Sequence, residues 1–242
     1  MDFQDAKNII LQSENICIIP EENSDPEAIA SALSLFYTLK ELGKNVNLII
    51  EKLPEWLDFL TPSLNFISYP KNFVISVPSK SAEISQIYYE KNDDSLKIHL
   101  TVEKGFVKKD DIAFYFSEKK PDLIITVGVK DYHSQLSGKL NPFGFLLGAQ
   151  ILNIDNSQDN KKFGKINLVE SLSLTQLAVK IIKDLDSPVS KETATCLLAG
   201  LIIYTDNFKN FNITAEVFET AAFLMKSGGD LKEIVNNIQK RK

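Results

Sequence analysis

The sequence contains few of the residues that mark disulfide-linked or metal-binding domains. It has two cysteines and two histidines among 242 residues. Cys17 and Cys196 both lie inside apolar runs and lack the spacing of zinc ligands. We therefore expect two buried free thiols in a protein of a reducing compartment.

Excess positive charge and long hydrophobic runs are also missing. The formal net charge is -5, so binding to nucleic acid or another polyanion would need a local basic patch or bound metal cations. No apolar run approaches the length of a membrane span. The first residues, MDFQDAKNIILQSEN, lack the basic start and apolar stretch of a signal peptide. These absences predict a cytoplasmic protein without a membrane partner.

The stretch 16–50 has the pattern of a strand–loop–helix–strand unit. Residues 16–19 are a short apolar run typical of a buried parallel strand, and residues 28–42 repeat apolar side chains at helical spacing. Gly43 then suits a helix C-cap, and residues 46–50 form a second apolar run. In such strand–loop–helix–strand units functional groups collect in the loop after the first strand. Here that loop carries three carboxylates: Glu21, Asp25 and Glu27.

Strand and helix patterns alternate again in the second half of the chain. The runs DLIITVGV and AQILNID predict buried strands, and the short segment 143–147 predicts a helix or loop. Helical spacing covers 173–185, 191–204 and 215–226, and Asp230 is placed to cap a last helix. The sequence therefore predicts an α/β fold with a mostly parallel, Rossmann-like sheet flanked by helices.

A β-rich stretch, 72–116, interrupts this alternation. The segments ISQIYYEK and SLKIHLTVE are separated by a turn signal at 92–94 and predict an antiparallel hairpin with His99 at a strand position. The hairpin is too small to bury a core of its own. We expect it to be an antiparallel addition to the main sheet, and the whole chain, 1–242, to be a single domain.

Five separated stretches match, in order, the motifs of one known superfamily. They are Glu21-x-x-x-Asp25-x-Glu27 followed by Ala30-Ser31; the strand that ends at Gly128; Asp155-Asn156-Ser157 with FGKINLVE after it; Gly200 with Tyr204 and Thr205; and AAFLMKSGGDLKEI at 221–234. In this order they resemble the N-terminal catalytic domain of the DHH phosphoesterase superfamily, in its single-strand exonuclease and oligoribonuclease/PAP phosphatase branch. The resemblance covers most of the chain outside 72–116.

The resemblance implies two manganese ions held by two histidines and several aspartates. Here both motif histidines are absent, and Gly128 and Tyr204 stand where the family has aspartates. The carboxylates that remain at motif positions are Asp25, Glu27, Asp155 and Glu21. A glycine at the bridging position leaves the repulsion between two cations uncompensated, so we expect the two-metal site not to assemble. No glycine-rich histidine motif of the family's C-terminal substrate-binding domain occurs, and we expect that domain to be lacking.

Three functions stay open at this point. The first is a catalytically degenerate, DHH-like protein that binds a nucleotide, a short nucleic acid or a protein partner, with no cofactor. The second is a metal-dependent phosphoesterase on nucleotides or short single-stranded oligonucleotides, with one Mg²⁺ or Mn²⁺ at Asp25, Glu27, Asp155 and Glu21. The third is an assembly subunit that docks through 72–116, as a homo-oligomer or with another protein.

Polar residues near the motif positions are candidates for a phosphate or ligand rim. They are Ser31, Lys130, His133, Asn156 and Thr205, with Lys161, Lys162 and Lys165 on the same presumed rim. Simpler interpretations compete with several of these site assignments. Asp25 can cap the helix that starts near Pro26, a lone loop histidine is usually a surface residue, and lysines promote solubility.

Overall fold

The computed structural model describes residues 3–21, 25–50, 53–61, 72–117, 121–135, 149–211 and 213–239. The chain divides into two compact units. The first unit comprises Met1–Ile67 and Lys120–Lys242, and the second comprises Ser68–Lys119. The predicted insertion, 72–116, falls inside the second unit.

A five-stranded parallel sheet forms the centre of the first unit. Its strands are β1 (Asn15–Pro20), β2 (Asn45–Leu48), β7 (Leu123–Val127), β8 (Gln150–Asp155) and β9 (Ile166–Val169). They pair in the order β2-β1-β7-β8-β9, all parallel. The strands are short and rich in isoleucine, leucine and valine, as expected for parallel strands that are covered on both faces. The predicted α/β class and the mostly parallel sheet are confirmed.

Seven α-helices complete the described part of the first unit. They are α1 (Phe3–Gln12), α2 (Pro26–Glu41), α3 (Tyr132–Gln135), α4 (Leu174–Asp184), α5 (Lys191–Tyr204), α6 (Ala215–Lys226) and α7 (Leu231–Ile238), and a 3₁₀ helix spans Glu55–Leu60. Serine, threonine and aspartate side chains cap the N-termini of α2, α4, α5, α6 and α7, including a full capping box at Ser173. The helix α2 packs on α4 and α5.

The alternation of side chains along the strands divides the core into two clusters. Ile16 and Ile18 of β1 face the large cluster that α2, α4 and α5 cover. Cys17 and Ile19 face the other side, in a smaller cluster with Ile124. Both cysteines of the chain are buried and free, as predicted. The turn after α2 also follows the prediction, since Gly43 has a φ of 77°.

The second unit contains two antiparallel strand pairs. The strands β3 (Asn72–Ser76) and β6 (Ala113–Ser117) form one pair, β4 (Ala82–Lys91) and β5 (Leu96–Gly105) form the other, and a 3₁₀ turn spans Lys109–Asp111. The side chain of Asn92 stabilises the predicted turn by accepting hydrogen bonds from the backbone N–H groups of Asp94 and Ser95. The hairpin is confirmed, but the expectation that it extends the main sheet is wrong. Its strands pair only with each other among the described strands.

The segment 143–147, predicted as a short helix or loop, lies outside the described residues. Among the helices that the structure describes, none is long and apolar enough to cross a bilayer.

Candidate functional site

The carboxyl ends of the central strands bring three of the motif positions to one edge of the sheet. Glu21 directly follows β1, Gly128 follows β7, and Asp155 ends β8. The backbone N–H of Glu21 donates to the Val127 carbonyl at 2.8 Å, and that of Gly128 donates to the Ile154 carbonyl at 2.9 Å. In open α/β sheets this edge is where ligands bind.

Asp25 caps the N-terminus of α2 beside this edge. Its carboxylate accepts hydrogen bonds from the backbone N–H groups of Glu27 at 3.0 Å and Ala28 at 3.2 Å. Burial raises the pKa of Asp25, and the charges of Asp155 and Glu21 raise it further, against the two N–H groups, which lower it. Asp155 and Glu21 thus lie close enough to repel the charge of Asp25, while Asp25 stabilises the helix terminus.

Glu27 is buried in the first turn of α2, with 4% of its surface exposed. Its Oε1 accepts a hydrogen bond of 2.9 Å from the backbone N–H of Thr175, in the first turn of α4. Burial raises the pKa of Glu27 to about 8, and the nearby charge of Asp25 adds to this effect. At neutral pH the side chain is therefore mainly a protonated acid that joins two helix starts. A protonated carboxyl group is a poor metal ligand.

Gly128 stands where the resemblance places the bridging aspartate. Its φ of +72° lies in the left-handed region that favours glycine. A Cβ at this position would lie 3.0 Å from the Ala28 side chain, 3.2 Å from Leu174 and 3.4 Å from a carboxylate oxygen of Asp25. The surrounding packing therefore leaves no room for an aspartate at position 128 with this backbone.

The metal that the resemblance implies does not fit these residues. Over the described ranges, no three or more His, Cys, Asp or Glu side chains are arranged so that they could hold a metal ion. Asp25 and Glu27 direct carboxylate oxygens at backbone N–H groups. A pair of hard divalent ions needs several anionic oxygens that converge on one point, and the geometry around Gly128 does not provide them.

Asp155 is held by an amide of the loop that follows β8. The carboxylate is 1% exposed, and its Oδ2 accepts a hydrogen bond of 2.7 Å from Asn160 Nδ2. The same amide group donates to the Val129 carbonyl at 3.0 Å, and Asn160 Oδ1 accepts from Asn153 Nδ2 at 2.9 Å. The backbone N–H of Lys161 adds a bond of 2.8 Å to the Lys130 carbonyl. Asn160 thus connects the loop after β7 with the loop after β8.

Two of the predicted rim residues lie in the protein interior. Ser31 is fully buried in α2, where its hydroxyl is 3.4 Å from that of Thr175. Thr205 is fully buried at the end of α5, donates to the Leu201 carbonyl at 2.7 Å and accepts from the backbone N–H of Phe208 at 3.2 Å. Thr205 therefore caps the helix end.

The other rim residues are accessible to solvent. Lys130 and His133 are exposed, as are Lys161, Lys162 and Lys165, and Asn156 is half-buried. His133 follows Tyr132, with the two rings edge to face at 5.6 Å. Lys130 and His133 follow β7, and Asn156, Lys161 and Lys162 follow β8. Lys165 does not lie with them, because it donates to Gln150 Oε1 at 2.6 Å, at the start of β8 and the opposite end of that strand.

A cavity of about 600 Å³ opens beside the loops after β7 and β8. Its described lining residues are Asp131, Tyr132, His133, Ala149, Ile151, Lys161 and Phe163. The rings of Tyr132 and Phe163 are 5.9 Å apart and inclined by 56°. The cavity combines apolar and aromatic surface with one cationic and one acidic side chain, Lys161 and Asp131, and a few polar groups of this kind are common in small-molecule sites.

Sequence reasoning missed Tyr132, Phe163 and Asn160. The aromatic residues could have been noticed, because each stands in a polar loop after a predicted strand, where an aromatic side chain is unexpected. Asn160 gives no such signal, since asparagine is common in polar loops.

Comparison with known proteins adds a second line of information. No protein-family model matches the chain. Over 93 residues it is 32% identical to the bifunctional oligoribonuclease and PAP phosphatase NrnA of Thermus thermophilus, a match that covers 38% of this chain and 29% of that protein. The chain is a relative of the DHH phosphoesterases.

The fold agrees with this relationship. It is similar to the crystal structure of an exopolyphosphatase-related protein from Bacteroides fragilis, with a TM-score of 0.69 and 16% identity, over 98% of this chain and 59% of the other. The resemblance to the DHH phosphoesterases that the motifs indicated is confirmed. The chain spans less than two thirds of the length of either protein.

Proposed function

We propose that this relative of the DHH phosphoesterases binds a nucleotide or a short single-stranded oligonucleotide and does not hydrolyse it. The observation that carries the proposal is that the chain itself uses three of the four remaining motif carboxylates. Asp25 caps a helix, Glu27 is buried against Thr175, and Asp155 holds the amide of Asn160. Water activation by two metal ions requires such groups to be ionised and open to the metal.

The cavity beside the loops after β7 and β8 supports the binding part of the proposal. Tyr132 and Phe163 offer aromatic surface for a base, and base–aromatic stacking contributes about 1–3 kcal/mol per base. Lys161 is exposed on the cavity wall and can attract a phosphate. The name of the Thermus thermophilus relative, an oligoribonuclease and PAP phosphatase, favours the same ligand class for this chain.

Titration of the protein with a short oligoadenylate tests binding directly. We expect saturable binding by calorimetry, weakened roughly 5- to 150-fold by Phe163→Ala through lost stacking. Lys161→Ala should also weaken binding, and by a larger factor at low salt than at high salt, because salt screens the attraction between the lysine and a phosphate. Lys226→Ala is the matched control, because this exposed lysine lies at the end of α6, outside the cavity lining. Equal weakening by the control, or no saturable binding, would contradict the proposed site.

A hydrolysis assay tests the other half of the proposal. The same oligoadenylate is incubated with the protein and millimolar Mn²⁺ or Mg²⁺, and products are separated by chromatography. We expect no products above the protein-free rate. Turnover that requires the metal and disappears in Asp25→Ala would instead support the metal-dependent phosphoesterase that the sequence left open.

A further inference from the structure

The hairpin formed by β4 and β5 has one polar and one apolar face. Between Gln86 and Lys91 the register with β5 is regular, running from Gln86 opposite Thr101 to Lys91 opposite Leu96. Alternation along paired strands then places two sets of side chains on opposite faces. The polar face carries Gln86, Tyr88, Glu90, Lys97, His99 and Thr101, and the apolar face carries Ile87, Tyr89, Leu96, Ile98 and Leu100. The stacking of Tyr88 on His99, with ring centroids 4.5 Å apart, agrees with this division.

The apolar face is open to solvent. Ile87 is 70% exposed, Tyr89 72%, Leu96 60% and Ile98 48%. These four residues are adjacent on the paired strands, so the exposed surface is continuous. A two-stranded sheet in water is marginally stable unless such a face is covered. Continuous apolar surface of this kind marks an interaction site.

We propose that a second copy of this chain covers the apolar face, with the two hairpins packed face to face about a two-fold axis. At full burial the five residues would contribute about 500 Å² per copy, hence about 1,000 Å² in a pair, which is where specific interfaces begin. Apart from the Tyr89 hydroxyl and from Lys91 at one end, this face is apolar and so is complementary to itself, as a two-fold interface requires. This interface is independent of the proposed nucleotide binding.

Charge determines the relative direction of the hairpins. Lys91 is the one charged side chain on the apolar face in the regularly paired stretch, and it lies next to the turn. If the hairpins ran in the same direction, the two copies of Lys91 would meet. In the antiparallel arrangement, with the axis near the middle of the paired stretch, they lie about 20 Å apart. That exceeds the screening length of about 8 Å at physiological salt, so the hairpins pack antiparallel.

Sedimentation equilibrium of the full chain tests this interface. We expect a species of twice the 27.2 kDa chain mass that dissociates on dilution, with a dissociation constant on the order of a micromolar for an interface of this size. Ile98→Lys should give a monomer at every concentration. Thr101→Lys adds the same charge to the same strand on the polar face and should leave the dimer intact.

A measurement on the unsubstituted protein covers the case in which Ile98→Lys fails to fold. Amide hydrogen exchange in 87–100 should be slower at about 100 μM than at about 0.1 μM, while exchange in the first unit stays unchanged. A monomer at all concentrations, a dimer that survives Ile98→Lys with native circular dichroism, or exchange in 87–100 that is independent of concentration would each overturn the proposal.

Discussion

Replacing Glu27 by glutamine tests whether the buried acid of α2 is protonated in the folded protein. The pKa of Glu27 is raised from its ordinary value of 4.5 to about 8, so the folded state binds one proton more than the unfolded state between these pH values. The free energy of unfolding must therefore fall as the pH rises through this window. The stabilisation is fully present below pH 4.5 and is lost above about pH 8.

The size of the effect follows from the same numbers. One pKa unit corresponds to about 1.4 kcal/mol, so a rise from 4.5 to about 8 corresponds to about 5 kcal/mol of lost stability above pH 8. Water that reaches the ionised carboxylate after a local rearrangement makes the measured loss smaller. Glu27→Gln keeps an oxygen for the N–H of Thr175 but cannot ionise. We expect the variant to match the wild type within about 1 kcal/mol at pH 5 and to be several kcal/mol more stable at pH 9.

Urea unfolding at pH 5, 7 and 9, followed through the fluorescence of the single tryptophan, Trp56, measures these differences. Glu41→Gln provides the control, because Glu41 ends the same helix and is exposed. Its substitution should change stability by no more than about 0.5 kcal/mol at any pH. The reasoning is refuted if the wild type and Glu27→Gln lose the same stability between pH 5 and pH 9.

Three other changes have defined outcomes. Gly128→Ala should lower the free energy of unfolding by roughly 2–4 kcal/mol in urea, whereas Gly43→Ala, at a similar φ but with open space around it, should lower it by only about 1 kcal/mol; equal losses would contradict the packing argument at position 128. Asn160→Ala should destabilise the protein by roughly 2–4 kcal/mol, because Oδ2 of the buried Asp155 carboxylate loses its donor and only Oδ1 keeps one, the N–H of Asn156; a loss below 1 kcal/mol would show that water replaces the amide. Cys17 and Cys196 should react with a thiol reagent at pH 8 only in denaturant, since both are buried and burial raises the pKa of Cys196 above its usual range; reaction of the native protein would contradict this.

Much of the fold could be predicted from local patterns. The helices Lys191–Tyr204 and Ala215–Lys226 have the predicted bounds, because long apolar repeats coincide with clear cap residues. The hairpin follows from alternating residues around the turn at Asn92. Its relation to the main sheet did not follow, because strand pairing depends on edges that are distant in sequence.

The candidate site was less accessible to sequence reasoning. The motif order placed Glu21 and Asp155 at strand ends, and the structure puts them there. The motif order could not indicate that Glu27 is buried, since the hydrogen-bond partner of Glu27, Thr175, is 148 residues away. The role of Asn160 likewise depends on Val129, a contact across two loops. Side chains that join distant segments produce no repeating pattern in the sequence around them, so local patterns cannot reveal their contacts.

The bonds of Asn160 also have a consequence for how a ligand would enter the neighbouring cavity. Loops that are already tied together are preorganised, so capture of a ligand between them sacrifices little conformational entropy. Association should therefore be fast and free of a slow closing step. Since a side chain of the polypeptide makes this tie, a chelator such as EDTA should leave both the loop geometry and the entry rate unaltered.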